Sequence, residues 1–209
     1  MRVELLAMTP DAERVIERAG RTCYMSIDRL EDDSAPGFLR MIVSRGHTSV
    51  LEHASATFRV SGISRAATHQ LVRHRLCSFS QKSQRYVRET DPAFVVPPSI
   101  HASSGAAAEF DKVMTASKEA YATLIALGIP KEDARFVMPN AVSSEIVMSA
   151  NFRELRHVIS IRGSRHAQWE VRRLAVELLR IMKEQAPNAF FDLEITEDGC
   201  VERRTTEVP

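Results

Sequence analysis

The sequence predicts an α+β fold, and three observations predict it. Short stretches with strand-like alternation, at residues 3–8, 54–60 and 143–150, lie among longer stretches with helical periodicity. The glycine-rich fingerprint of a dinucleotide-binding βαβ unit is absent, so a doubly wound parallel sheet gains no support. A length of 209 residues with 44% hydrophobic content fits one domain, residues 1–209, with a sizeable core.

Residues 3–8 form the first expected strand. Thr9-Pro10 then offers an N-cap and a first-turn proline for a helix to about Cys23, burying Val15, Ile16 and Ala19. Residues 28–34 are an acidic loop, and residues 37–44 a helix burying Phe38, Met41 and Ile42. In the loop that follows, His47, Glu52 and His53 lack helical spacing and a further ligand, so no metal site is expected. His53 reads as a satisfied structural histidine. The strand at 54–60 leads through Ser61-Gly62 into a helix expected over 63–77. Ile63, Ala66, Ala67, Gln70, Arg73, His74 and Cys77 fall on one stripe of it, which starts apolar and ends in Arg and His. A buried guanidinium needs an anionic or aromatic partner, so Arg73 should meet one.

Residues 91–105 are a Pro- and Ser-rich connection of the length that often serves as a lid or subunit contact. A long helix over 106–127 ends at Gly128, and Pro130 opens a shorter one over 131–138. Residues 143–150 are extended. Asn151 with Glu154 three residues on makes a capping box for a helix whose stripe is Phe152, Leu155, Ile159 and Arg162. Ser164 starts the last helix, which buries Val171, Leu174, Ala175, Leu178, Ile181 and Met182. From about 192 to 209 the chain is acidic and polar, a peripheral tail.

Charge distribution points to a site. Net charge is only +1, yet no Asp or Glu occurs from 54 to 88, while Arg59, Arg65, Arg73, Arg75, Lys82, Arg85 and Arg88 do. Such a field recruits phosphate or carboxylate. Three widely spaced cysteines give no zinc cluster or disulfide framework, and there is no signal-peptide pattern or membrane-spanning run. A cytoplasmic protein with no membrane partner is expected.

Arg73-His74-Arg75, seven residues, then Ser83, continued by Gln84-Arg85-Tyr86, resembles the signature of the flavin-dependent thymidylate synthases. A second block, Arg162 to Glu170 with His-Ala-Gln-Trp-Glu at its end, is also similar, and the resemblance runs from about residue 46 to 184. It implies a central, mainly antiparallel sheet flanked by helices. It further implies conversion of dUMP to dTMP, with 5,10-methylenetetrahydrofolate as carbon donor, reduced FAD as hydride donor and NADPH as reductant. By resemblance, dUMP is held by Gln70, Leu71, Val72, Arg73, Gln81, Lys82, Ser83, Gln84, Arg85, Arg135 and Arg162, with Ser83 and Arg85 nearest its phosphate. FAD is held by Ser49, Arg73, His74, Arg75, Gln81, Asn151, Phe152, Arg153 and His157. His47 and His166 lie on the folate and flavin side, and sites are shared within a homotetramer. Gln81 stands where some relatives carry Glu, so it can hydrogen-bond but not take a proton. His157 stands where some carry Asn.

Carbon 5 of neutral uracil is a poor nucleophile, and two solutions exist: a thiolate adds at C6, or a fixed cation stabilises an ionised ring. The resemblance implies the second, with Arg162 beside the ring. Cys77 is expected to pack rather than attack, and Ser83 to position substrate, since no His–Asp pair activates it. Two other readings compete. An RNA or single-strand binder would stack bases on Phe79 and Tyr86, but aromatics are only 6% and no RNA-binding motif occurs, so no nucleic-acid partner is expected. A nucleotide hydrolase would need metal-binding carboxylates near the basic stretch, and the sequence offers no convincing cluster.

Overall fold

The computed structural model describes residues 1–204. In chain order its elements begin with β1 (Arg2–Met8), α1 (Ala12–Cys23), α2 (Ala35–Ser44), β2 (Ser55–Ser64), α3 (Arg65–Leu71) and β3 (Ser78–Gln81). There follow α4 (Pro98–His101), α5 (Ser104–Ala126), α6 (Lys131–Ala134), β4 (Ser143–Asn151), α7 (Phe152–Arg162) and α8 (Trp169–Gln185). A short hairpin of β5 (Leu193–Ile195) and β6 (Val201–Arg203) comes last. The expected class holds: α and β are mixed, and an antiparallel sheet in the order β1-β2-β4-β3 has flanking helices. Among the described residues, no helix is long and apolar enough to cross a membrane.

Two compact units divide the chain. One takes residues 1–2, 60–70 and 80–146; the other takes 3–59, 71–79 and the chain from 147 on. In the first, α5 packs against α4, α6 and the 3-10 turn Arg135–Val137, and Val60, Ile63, Ala67, Tyr121, Val142 and Ile146 are buried. In the second, α1 packs on α2 and on the 3-10 turn Thr48–His53. There α7 packs on α8, on that turn and on β6. Its core includes Ile16, Leu39, Leu51, Phe58, Leu155, Ile159, Leu178 and an edge-to-face pair, Phe152 and Phe190, with ring centroids 5.5 Å apart.

Several expectations needed correction, among them Met41, expected inside its helix's packed face and found 37% exposed. Gly62 does not end its strand: at φ +69° it sits inside β2, where a Cβ would come within 3.4 Å of the Met1 backbone. The helix expected over 63–77 is therefore only α3, started where the Ser64 hydroxyl accepts the Ala67 amide at 3.0 Å. Residues 72–77 are turns, so the stripe stops at Leu71, and Arg73 is exposed rather than buried. The last helix begins at Trp169, not Ser164, because the Gln168 side chain accepts the amides of Glu170 and Val171 and sets its first turn. The strand β3 was not expected; at four residues it is too short for alternation to show.

A further correction is the acidic tail. Asp192 and Leu193 are each 1% exposed, and Cys200 and Val201 are buried too. The carboxylate of Asp192 goes inside because two guanidinium groups meet it there, Arg156 of α7 at 2.8 Å and Arg203 at 2.9 Å. The hairpin is then fixed to the end of α7, where the Val201 amide donates to the Gly163 carbonyl at 2.8 Å. A Cβ on Gly163 would stand 2.5 Å from Val201 Cγ2 and 2.6 Å from the Ile159 carbonyl, so only glycine allows this approach. Residues 205–209 of the expected tail lie outside the described residues.

Candidate active site

The signature triplet folds as turns, and its three side chains part company: Arg73 and Arg75 are exposed, while His74 is buried at 7%. What draws His74 inward is α7. Its Nδ1 lies 3.3 Å from Oε1 of Glu154, itself 6% exposed, and its Nε2 accepts the Nε–H of Arg162 at 2.9 Å. Because Nε2 accepts, the ring proton sits on Nδ1 and is donated to Glu154. Burial, and then the Arg162 charge, hold the His74 pKa below its ordinary value, with Glu154 opposing them. The neutral ring is the form the fold favours. That contribution is complete above the ordinary value of about 6.5 and is lost as pH falls below it toward the folded value.

His157 meets His74 edge-on, with centroids 5.6 Å apart. Ligand atoms of His74, Glu154 and His157 lie within 4.8 Å of one another, a spacing that could hold a metal ion. Both nitrogens of His74 are already engaged, and Arg162 sets a fixed positive charge against it. Glu154, His74 and Arg162 form a hydrogen-bond chain, with His157 edge-on against it.

Beside this chain a cavity of about 410 Å³ is lined by Glu52, Leu76, Asn151, Arg153, Glu154 and His157. Three of the residues expected to hold FAD, Asn151, Arg153 and His157, converge here. Leu76, 78% exposed, offers an apolar wall of the kind a planar ring covers, and Arg153, His157 and the Asn151 amide offer donors. The lining fits part of a flavin. Arg153 forms an ion pair with Glu52, and Asn151 uses its Oδ1 to cap α7 through the Glu154 amide at 2.8 Å. Phe152, by contrast, is fully buried and donates its amide to the Ala54 carbonyl, and it is not part of this cavity's lining. Ser49 and His166 are exposed. His47, also exposed, lines a different cavity with Arg21, Tyr24, Phe38, Met41 and Arg45.

In the other unit lie Gln70, Gln81 to Arg85 and Arg135. Gln84 and Arg135 line a cavity of about 380 Å³ with Arg65, His69, Phe136 and Asn140. Burial and the neighbouring Arg135 charge lower the pKa of Arg65, which marks two like charges held close, as an anion site requires. Gln81 donates its amide N–H groups to Thr68 and Ser144 at 3.0 Å each, fixing its orientation. The Ser83 hydroxyl accepts the Arg85 amide at 3.2 Å. Leu71 is core, and Val72 is partly exposed in the turn after α3.

The basic stretch is less uncompensated than its own composition implies. Lys82 pairs with Glu89 at 2.8 Å, Arg85 with Glu132 at 2.5 Å, and His74 meets Glu154. That supply of carboxylates weakens the single-strand-binding reading, which needs an open positive groove.

Comparison with known proteins agrees with the two sequence blocks. The family described as thymidylate synthase complementing protein matches residues 4–188. A flavin-dependent thymidylate synthase of Geobacter sulfurreducens is 48% identical over 200 residues, covering 92% of this chain and 86% of its own length. One of Mycobacterium marinum is 40% identical, covering 94% and 91%. The chain belongs to the flavin-dependent thymidylate synthase family. A third member, from Mycobacterium bovis, is 41% identical over 90% of this chain and 83% of its own.

Family resemblance did not single out Glu154, Leu76, Glu52, Arg65 or His69, and the structure adds them. Two of them carried a usable signal: Arg65 belongs to the acid-free basic stretch, and Glu154 stands three residues before His157 and so on the same face of α7. Cys77 is the remaining nucleophile near the signature. It is buried, its Sγ lies 3.9 Å from Oε1 of Glu154, and burial together with that carboxylate pushes its thiol up to about 12. A thiol so protonated is a packing group. Cys77→Ala should keep dTMP formation within roughly tenfold of the parent, because covalent attack on the ring needs a thiolate that is not there. Complete loss of turnover with normal dUMP and FAD binding would put the thiol back in the mechanism.

Proposed function

We propose that this chain carries out the reductive methylation of dUMP to dTMP as a single flavin-dependent thymidylate synthase domain. The carbon comes from 5,10-methylenetetrahydrofolate, the reductant is NADPH, and the sites are completed between copies of a cytoplasmic homotetramer. The observation that carries this reading is the bond from Arg162 to His74, which joins the two separate sequence blocks of the family at one partly buried point.

FAD, when bound, supplies the hydride, and Asn151, Arg153, His157 and the Arg73-His74-Arg75 turn are the residues that would hold it. The chain's own part is electrostatic. Arg162 is half-buried, so its charge acts through less water than a surface guanidinium does and can stabilise negative charge drawn into the uracil ring. Being planar with two-point geometry, it can also orient the ring edge. The neutral His74 takes one N–H of that guanidinium and leaves the positive charge on Arg162. Arg135, with Arg65, His69 and Gln84, suits the phosphate dianion. Ser83, whose hydroxyl accepts the Arg85 amide, positions rather than attacks, because an unactivated hydroxyl is a weak nucleophile.

Two measurements on purified protein test the reading. FAD added to apo-protein should change flavin fluorescence saturably at micromolar concentration. NADPH oxidation by the loaded protein should be faster when dUMP is present. A flavin titration without saturation, or NADPH oxidation indifferent to dUMP, would remove it.

A further inference from the structure

We propose that Glu154 is a positioning residue for Arg162, acting through the imidazole of His74. The proposal rests on the reading above, in which Arg162 stabilises charge on the substrate ring.

Three observations lead to it. Glu154 occupies the third position of α7, where a capping box would turn its carboxylate back to the Asn151 amide. Only half of that box forms: the Asn151 side chain accepts the Glu154 amide, while the Glu154 carboxylate points to His74 and Cys77 in the turns at 72–77. A carboxylate 6% exposed has given up water to do so. Next, the three groups form a directional chain, Glu154 Oε1 to His74 Nδ1 at 3.3 Å and His74 Nε2 to Arg162 Nε at 2.9 Å. Each link dictates the next. A carboxylate at Nδ1 accepts a proton there, so Nε2 keeps its lone pair, and only that lone pair can take the Arg162 N–H. Finally, a guanidinium held through Nε has its last torsion fixed, which sets the plane of its two NH₂ groups.

Without Glu154 nothing selects the tautomer. Imidazole in water favours the proton on Nε2, and that proton would face the Arg162 N–H, donor against donor. The bond is lost, and with it the contact through Nε that sets the guanidinium plane. A carboxylate that keeps an imidazole in one tautomer is a recurrent device where geometry matters to rate. The titratable groups that act on His74 are Arg162, Glu154 and His157, and of these Glu154 alone can accept the Nδ1 proton as an anion.

The test uses full-length protein with ¹⁵N-labelled histidine, read by NMR for the His74 tautomer, together with kcat and KM for dUMP. In the parent the Nδ1–H form is expected. In Glu154→Ala the Nε2–H form should dominate, and kcat should fall tenfold or more while the dUMP KM stays within about threefold. An Nδ1–H ring in that variant, or a kcat within twofold of the parent, overturns the proposal. Should Glu154→Ala fail to fold, the near-isosteric Glu154→Gln carries the test through its pH profile. Removing the carboxylate charge lowers the His74 titration, and the acid limb of kcat should move down with it. A limb that stays in place while the histidine titration moves overturns the proposal. A parent that makes no dTMP removes the functional reading as well, whereas the tautomer result by itself removes only this role of Glu154.

Discussion

Replacing Arg162 by alanine lowers dTMP formation about a hundredfold, with FAD content and melting temperature close to the parent. Removal of one preorganised electrostatic contact commonly costs about 3 kcal/mol of transition-state stabilisation, which is that factor in rate. The half-buried position of Arg162 and its bond to His74 place it in the regime where charge is effective, since surrounding water would screen it. Arg162→Lys keeps the charge but loses the planar fork and the Nε–H that His74 accepts, so it should be impaired too. The competing view makes Arg162 a cap for the end of α7. A cap would cost stability and leave chemistry alone, so turnover, FAD content and melting temperature are measured together. Turnover near that of the parent, or turnover lost only through unfolding, rejects the catalytic role.

Asp192→Ala has the largest expected effect on stability. The carboxylate is 1% exposed and serves two cations, and Arg156, 7% exposed, also donates to the Ala189 carbonyl. Deleting the anion leaves a buried guanidinium short of its partner, a change that costs about 3–5 kcal/mol. For a chain of this length that corresponds to a fall in melting temperature of roughly 10 °C. Arg203→Ala should cost under about 1 kcal/mol, because that side chain is 59% exposed and water replaces what it loses. Burial alone would raise the Asp192 pKa, but the Arg156 bond and charge, with Arg203, outweigh it and the net shift is downward. A carboxylate depressed in the fold stabilises above its ordinary value of about 3.9. That contribution is lost as pH falls from there through the folded value. Acid unfolding should therefore lose part of its pH dependence in Asp192→Ala. Equal melting temperatures for the two alanine variants would mean that the buried pair does not matter.

Elements with a clear period were legible in the sequence. The alternation of β4 and the Phe152–Leu155–Ile159 stripe of α7 are found as read, because each repeats over enough residues to show its face. Residues that owe their place to a distant partner were not. Arg73, His74 and Cys77 are spaced as on a helix, yet they lie in turns, and His74 and Cys77 are inside because Glu154 meets them. Glu154 was read as a cap since its spacing from Asn151 is local, whereas its actual partners come from another part of the chain. The same holds for Asp192, which reads as solvated acid until Arg156 is placed beside it. Charge compensation at Lys82 and Arg85 by Glu89 and Glu132 likewise depends on folding, not on neighbours in sequence. The two sequence blocks named the members of the His74–Arg162 contact, but not that they touch.

The hairpin at the end of α7 has a consequence for how the protein is made. Chains emerge N-terminus first. α7, with Arg156 and Arg162, is therefore synthesised before Asp192, Val201 and Arg203 have been added. In that interval Arg156 lacks the anion that accompanies it inward, and Gly163 lacks the strand that bonds its carbonyl. The helix can form early, but the loop that follows Arg162 is fastened only when β6 arrives. A ribosome-bound chain stopped before residue 192 therefore carries every residue of the His74–Glu154–Arg162 chain and no finished end of α7.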